Sequence, residues 1–189
     1  MMLSMSSEHG TYFEADGSKA KFAHALAAWV PIAHEVLVQT AGTYNRTTTY
    51  KELTDVVQER SGIRTKMLIG NWSGKLLEQV AVRAAEAGEP PLTSLCVHQD
   101  GTIGEGYARA PKSVPSDPDA DVDDLAAQHR LLCYRRYADD LPSDGGAPTL
   151  TPQVAEARSR HAKTGVKQRA ICPVHFMELS ATGVCAGCE

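Results

Sequence analysis

From Ser18 to Gly42 the apolar side chains fall at Phe22, Leu26, Trp29, Val30, Ala33, Val36 and Leu37. Steps of three and four residues put them on one face of a helix. Pro31 interrupts the run. A proline lacks the backbone donor and costs about 3 kcal/mol in a helix interior, so the pattern predicts a kink or a break between two helices there. The next stretch, "RTTTYKELTDVVQERSG", opens on β-branched threonines that predict a short strand. It continues as a helix capped by Thr48 or Thr49, with Leu53, Val56 and Val57 inward and Gly62 where a C-terminal cap belongs. A third helix is written in "LIGNWSGKLLEQVAVRAAEAGEPP", where Trp72, Leu76, Leu77, Val80 and Ala84 share one side and Gly88 with Pro90 forms the stop.

After the third helix the period changes from helical to alternating. "LTSLCVHQDGTIGEGYA" predicts a strand over Leu92 to His98, a turn at Asp100-Gly101 and a returning strand ending near Tyr107. A hairpin directly behind two short helices is the wing of a winged helix. The order of elements predicts an α+β fold: a winged-helix-like domain over residues 18–108. Residues 1–17 are polar and unpatterned and predict a loose arm. Residues 109–150 hold a Pro-, Ser- and Asp-rich linker, a further helix and a second linker. That helix carries carboxylates in its first turn and arginines in its last, as its dipole favours, and Leu125, Leu132, Cys133 and Tyr137 are placed to dock it. Residues 151–189 begin with a short helix at Thr151-Pro152 and end in a cysteine-bearing tail. No internal repeat points to a solenoid.

Composition narrows the class. Of the 189 residues, 42% are hydrophobic and 22% charged, so a packed core is expected over at least part of the chain. No apolar run is long enough to span a bilayer and the first residues lack the blocks of a secretory signal, which predicts a cytoplasmic protein without a membrane partner. A formal net charge of -4 argues against a uniformly basic nucleic-acid binder and shifts attention to local charge.

Three of the five cysteines lie in the closing stretch "ICPVHFMELSATGVCAGCE". Cys172 with His175 and Cys185 with Cys188 form two pairs, each spaced by two residues, a spacing that turns both side chains inward from one knuckle. Three thiolates and an imidazole make a closed tetrahedral Zn²⁺ site with no position for a substrate water, so the expected cofactor is structural zinc. So short a segment cannot bury enough surface to order itself, and metal binding would supply most of its stability. A redox pair at Cys185 and Cys188 and a plain flexible tail are the competing readings. Before the tail, "RSRHAKTGVKQR" holds Arg158, Arg160, Lys163, Lys167 and Arg169 without an acidic residue, which reads either as a phosphate-contacting strip or as a solvated helix face.

The tail resembles the short zinc ribbons or knuckles that end many small bacterial and phage proteins. The stretch from "TTTYKELTDVV" to the wing is similar to the DNA-binding winged-helix domain of the alkylguanine-DNA alkyltransferases and their alkyltransferase-like relatives. The matching features are "TYKEL" leading into a helix, a second helix ending in a proline-leucine step, and a wing of the D-G-x-x-x-G-Y-A kind. Set by Asp100-Gly101, that family's Pro-Cys-His-Arg motif falls on Leu92, Thr93, Ser94 and Leu95, so the acceptor cysteine is absent. Cys96 stands three residues on, and a strand would put His98 on its face, leaving thiol transfer by a Cys96-His98 pair as a remote alternative to a core cysteine. The tryptophan-bearing helix followed by "PPL" and "GEGY" also resembles a domain of proteins of bacterial mobile elements.

The winged-helix resemblance implies that the third helix meets a duplex through Asn71, Ser73 and Lys75, with Glu78 and Gln79 on the same polar side, while Arg64 and Lys66 add backbone contacts. A solvent-facing surface on a small helical core is the alternative. The expected function is therefore a small non-enzymatic nucleic-acid-binding regulatory protein. A module of a mobile element or phage that captures a partner protein is the second reading. No P-loop, nucleophile elbow or zinc-protease helix occurs, so an enzyme with a small-molecule substrate is the least supported class.

Overall fold

The structure, a computed structural model, describes residues 10–114 and 120–164 together with Cys172 and Val174. It is a mixture of helices and short strands, an α+β architecture, and the chain divides into two compact units between Val154 and Ala155. Among the described residues no helix is long and apolar enough to cross a membrane.

The first unit is built on α1 (Phe22–Ala41), which packs against α2 (Tyr50–Ser61), α3 (Ser73–Glu86) and α4 (Val122–Tyr137). The helical spacing is realised directly. Trp29, Ala33 and Leu37 of α1, Leu53 and Val57 of α2, and Leu76, Val80 and Ala84 of α3 are buried in one core. At its centre the rings of Trp29 and Trp72 lie 4.5 Å apart. Trp29 Nε1 donates to Ser61 Oγ and to the Ile63 carbonyl. Trp72 Nε1 is buried with no partner among the described residues.

Pro31 does not divide α1, which runs as one helix of 20 residues. Pro31 and Ala27 are both exposed, so the carbonyl that loses its donor faces water rather than the core. α2 starts at a reciprocal box in which Thr49 Oγ1 accepts from the Glu52 N–H and the Glu52 carboxylate accepts from the Thr49 N–H; it ends at Gly62, with φ 65°.

The residues expected to be a loose arm contribute sheet. β1 (Thr11–Phe13) pairs antiparallel with β2 (Lys19–Ala20) on one side and with β4 (Ile63–Thr65) on the other. Thr11 lies opposite Thr65 and Phe13 opposite Ile63. Strands of two or three residues carry too few side chains for an alternation to be read, and the long-range partner of β1 decides the matter.

The predicted wing is reduced. Leu92–Leu95 is a 3-10 turn, β5 is only Cys96–Val97, and the return is a single antiparallel bridge from Val97 to Ile103 followed by a second 3-10 turn, Glu105–Arg109. β5 spends its other edge on β3 (Thr48–Thr49), which it joins in parallel. The turn itself is as expected: Gly101 at φ 80°, with the Asp100 carboxylate accepting from both the N–H and the hydroxyl of Thr102.

Side chains replace the missing ladder. Asp123 accepts from the Ile103 N–H at 2.8 Å, and Arg130 donates to the Ser94 carbonyl at 3.2 Å. Lys112 Nζ donates to the carbonyls of Tyr107, Ala108 and Ala110. α4 thereby belongs to the same unit as α1–α3, and the expected boundary near residue 108 is not a break in packing. Asp121 caps α4, Asp123 and Asp124 lie in its first turn and Arg135 and Arg136 in its last. Of the expected docking residues, Leu125 and Cys133 are buried, while Leu132 and Tyr137 are half-buried. α5 (Pro152–Thr164) follows.

Candidate nucleic-acid interface

α3 has two unlike sides. One is sealed in the core. The other leaves Gly74, Lys75, Glu78, Gln79 and Arg83 exposed. Ser73, expected on the polar side, is buried, because the helix begins one residue after the core tryptophan and Ser73 turns inward with Leu76 and Leu77. The approach to α3 is a short 3-10 turn, Ile69–Asn71. Asn71 at its end and Lys66 before it are exposed, and Leu68 is 77% exposed, the most exposed large apolar side chain among the described residues. Arg64 sits on β4 and is held by Glu14 at 2.8 Å, so its charge is already matched.

From Arg60 to Leu77 the sequence has four cations, Arg60, Arg64, Lys66 and Lys75, and no carboxylate. Arg60 is paired with Glu35 and Arg64 with Glu14, which leaves Lys66 and Lys75 as the unmatched charges of this edge among the described residues. A chain with an acidic total therefore carries a local basic margin along the front of α3.

Beside α3 opens a cleft of about 370 Å³. It is lined by Gly74, Leu77 and Glu78 of α3, by Tyr50 and Thr93, and by Tyr107 and Arg109 with Ala110 and Pro111. Its shape depends on polar ties made from behind. The Tyr107 hydroxyl lies 2.7 Å from Nδ1 of the buried His129, and the Lys112 ammonium sits 4.7 Å from the Tyr107 ring centre. Burial pushes the Tyr107 phenol far up and the Tyr50 phenol up to about 12, so both stay protonated. The Tyr50 hydroxyl occupies the space a Cβ would need at Gly104, which explains the glycine there.

Tyr50, Tyr107, Arg109, His129 and Arg130 were not singled out by sequence pattern as site residues. A signal existed for two of them: His129 and Arg130 lie four residues after Leu125 and Ala126 and four before Cys133 and Tyr134, in step with the buried stripe of α4. Arg130 is 3% exposed, and its hydrogen-bond partners are the backbone carbonyls of Ser94 and Thr149. Burial lowers its pKa, against the neighbouring groups that favour its charge.

The remote Cys96-His98 chemistry has no support in this geometry. Cys96 is fully buried, and burial, with the Glu52 charge as a smaller cause, pushes its thiol far above the ordinary range. His98 is exposed and stacks on the Tyr50 ring at 4.7 Å. Cys96 is a core residue.

In the second unit, Arg158 is half-buried and Arg160 exposed on α5, with Arg160 Nε 3.9 Å from Glu156. Lys163 lies in the last turn of α5, and its side chain is outside what is described; Lys167 and Arg169 fall outside the described residues. Of the four expected zinc ligands, Cys172 is described and is 3% exposed; His175, Cys185 and Cys188 lie outside the described residues. Among the described residues no group of three or more His, Cys, Asp or Glu side chains is placed to hold a metal.

No protein-family model, characterised protein or solved structure matches the chain.

Proposed function

We propose that the protein is a non-enzymatic nucleic-acid-binding protein that meets a duplex with the exposed edge of α3. The observation that carries this reading is the basic margin. Among the described residues Lys66, just before α3, and Lys75 on it have no ion-pair partner, and the opposite side of α3 is fixed in the core, so a rigid element offers its polar side and positive charge together. Asn71 and Gln79 are amides suited to base edges, and Lys75 is suited to phosphate. The similarity to the alkyltransferase winged helix points the same way. It sets the position of that family's acceptor cysteine at Thr93, which lines the cleft. A threonine hydroxyl cannot serve as an acceptor thiolate, so the cleft, walled by two tyrosines and Arg109, suits holding a planar base without transfer to the protein.

The same reading gives the tail a supporting part. Cys172, His175, Cys185 and Cys188 form a donor set suited to zinc, which would order the tail behind the basic strip of Arg158, Arg160, Lys163, Lys167 and Arg169 and so add phosphate contacts.

A mobility-shift titration with a short duplex at two salt concentrations tests this. Wild type is expected to bind with an affinity that falls steeply with salt, and Lys66→Ala with Lys75→Ala is expected to weaken binding and reduce the salt slope by about two. No shift at low salt would reject the reading. The protein-capturing alternative draws on one observation, the exposed apolar residues Leu68, Ile69 and Val82 along the same edge.

A further inference from the structure

We infer that Leu68 is a wedge that enters the base stack of a duplex and bends it. This rests on the duplex-binding reading of α3 and adds to it the manner of engagement.

An apolar side chain 77% exposed is ordinary when it stands alone on a mobile loop. Leu68 does not stand on one. Its carbonyl accepts from the Asn71 N–H at 2.9 Å, and the Ile69 carbonyl accepts from the Trp72 N–H at 3.2 Å, so the turn is tied to the buried tryptophan that anchors α3. On the other side, the Met67 N–H donates to Thr65 Oγ1 at 3.2 Å and the Met67 side chain packs against the core. Leu68 is thus displayed from a turn braced at both ends, next to Ile69, which is 36% exposed.

Its surroundings select the partner. Lys66 lies two residues before it and Asn71 three after, with Lys75 in the first turn of α3. No carboxylate falls between Arg60 and Glu78. A small apolar knob with Lys66, Asn71 and Lys75 close to it in sequence suits a partner that is anionic at its rim and apolar within. A duplex is such a body, with phosphates outside and stacked bases inside, and leucine is among the side chains that insert between base steps and kink DNA. A protein groove would supply the apolar part, but the unmatched lysines would then need acidic residues arranged around it.

The experiment uses the full-length protein and a short duplex labelled at its two ends with a fluorescence energy-transfer pair. Wild type is expected to raise transfer on binding, the sign of a bend. Leu68→Ala, a change at an exposed position, is expected to abolish the rise and weaken binding by about tenfold, the loss expected when one leucine is no longer buried. Leu68→Phe is expected to retain both. If Leu68→Ala binds and bends the duplex as wild type does, while Lys66→Ala with Lys75→Ala still weakens binding, the wedge is wrong and the duplex reading stands. If wild type binds no duplex, both are wrong. Leu68-dependent binding to vesicles of anionic lipid in place of the duplex would also overturn the wedge.

Discussion

The three helices α1–α3 and the segment from Leu92 to Lys112 share one compact unit but are held by different forces. In the helices the contacts are apolar, run along stripes of regular spacing, and close around the Trp29 and Trp72 rings. In the segment the backbone makes two 3-10 turns, a two-residue strand and one bridge, and side chains supply the remaining order. Arg130 and Asp123 come from α4, Lys112 from the segment's own end, and the Tyr107 hydroxyl meets His129. Packing that follows a period is set locally. A polar tie is set by a residue far along the chain, and the segment forming the wall of the cleft is tied in this second way.

The largest effect that can break this contrast is in the helices. Trp72→Ala should destabilise the first unit by about 3–5 kcal/mol, measured by urea unfolding, since it opens a cavity at the centre of the core. A finer substitution separates packing from hydrogen bonding. Trp29→Phe discards the one N–H that Ser61 Oγ and the Ile63 carbonyl share, a bifurcated hydrogen bond worth about 1 kcal/mol. Trp72→Phe discards none among the described residues, where Trp72 Nε1 has no partner. Trp72→Phe should therefore be the milder of the two; an equal loss would mean that ring volume alone governs the pair.

An intermediate effect is expected at Arg130. Arg130→Met keeps the buried stem but leaves the Ser94 carbonyl without its donor, at about 1–3 kcal/mol. The location of the damage is more informative than its size. Amide exchange should speed up between Leu92 and Ile103 and stay slow in α1. Uniform acceleration would show that helices and segment unfold as one body, and the distinction between them would lapse.

The same distinction explains what could be read in advance. The spans of α2 and α3, the Thr49 cap, the Gly62 stop and the Asp100-Gly101 turn were legible because each rests on neighbours within a few residues. β1 was not, since Thr11–Phe13 is a strand only because β4 lies beside it. For α1 the penalty on proline predicts a kink or a break, and the break does not occur because Pro31 and the carbonyl it strands both face water, which the spacing does not show. The long wing does not form because the alternation of Leu92–His98 is only a local signal, while the claims of Arg130 and β3 on that backbone come from distant sequence. For the site, α3 and its polar edge were legible apart from Ser73; the cleft was not, since its walls come from four separate stretches.

The smallest effect bears on where the two regions touch. β3 joins β5, so the start of α2 and the start of the segment share a pair of strands. Glu52 caps that start, and its carboxyl is held below the ordinary 4.5 chiefly by the Thr49 N–H, with burial opposing. A depressed carboxyl stabilises the fold above its unfolded value, and the gain is lost as pH falls through the folded value. Glu52→Gln should therefore cost about 0.5 kcal/mol at neutral pH, with allowance for an exposed group, and the gap to wild type should close on acidification below 4.5. Amide exchange at Cys96 and Val97 then decides between the two supports of β5. If it stays slow in Glu52→Gln and rises only in Arg130→Met, the segment hangs from α4. If it rises in both, the capped end of α2 carries the segment as well, and the line between helices and segment has to be drawn past β5.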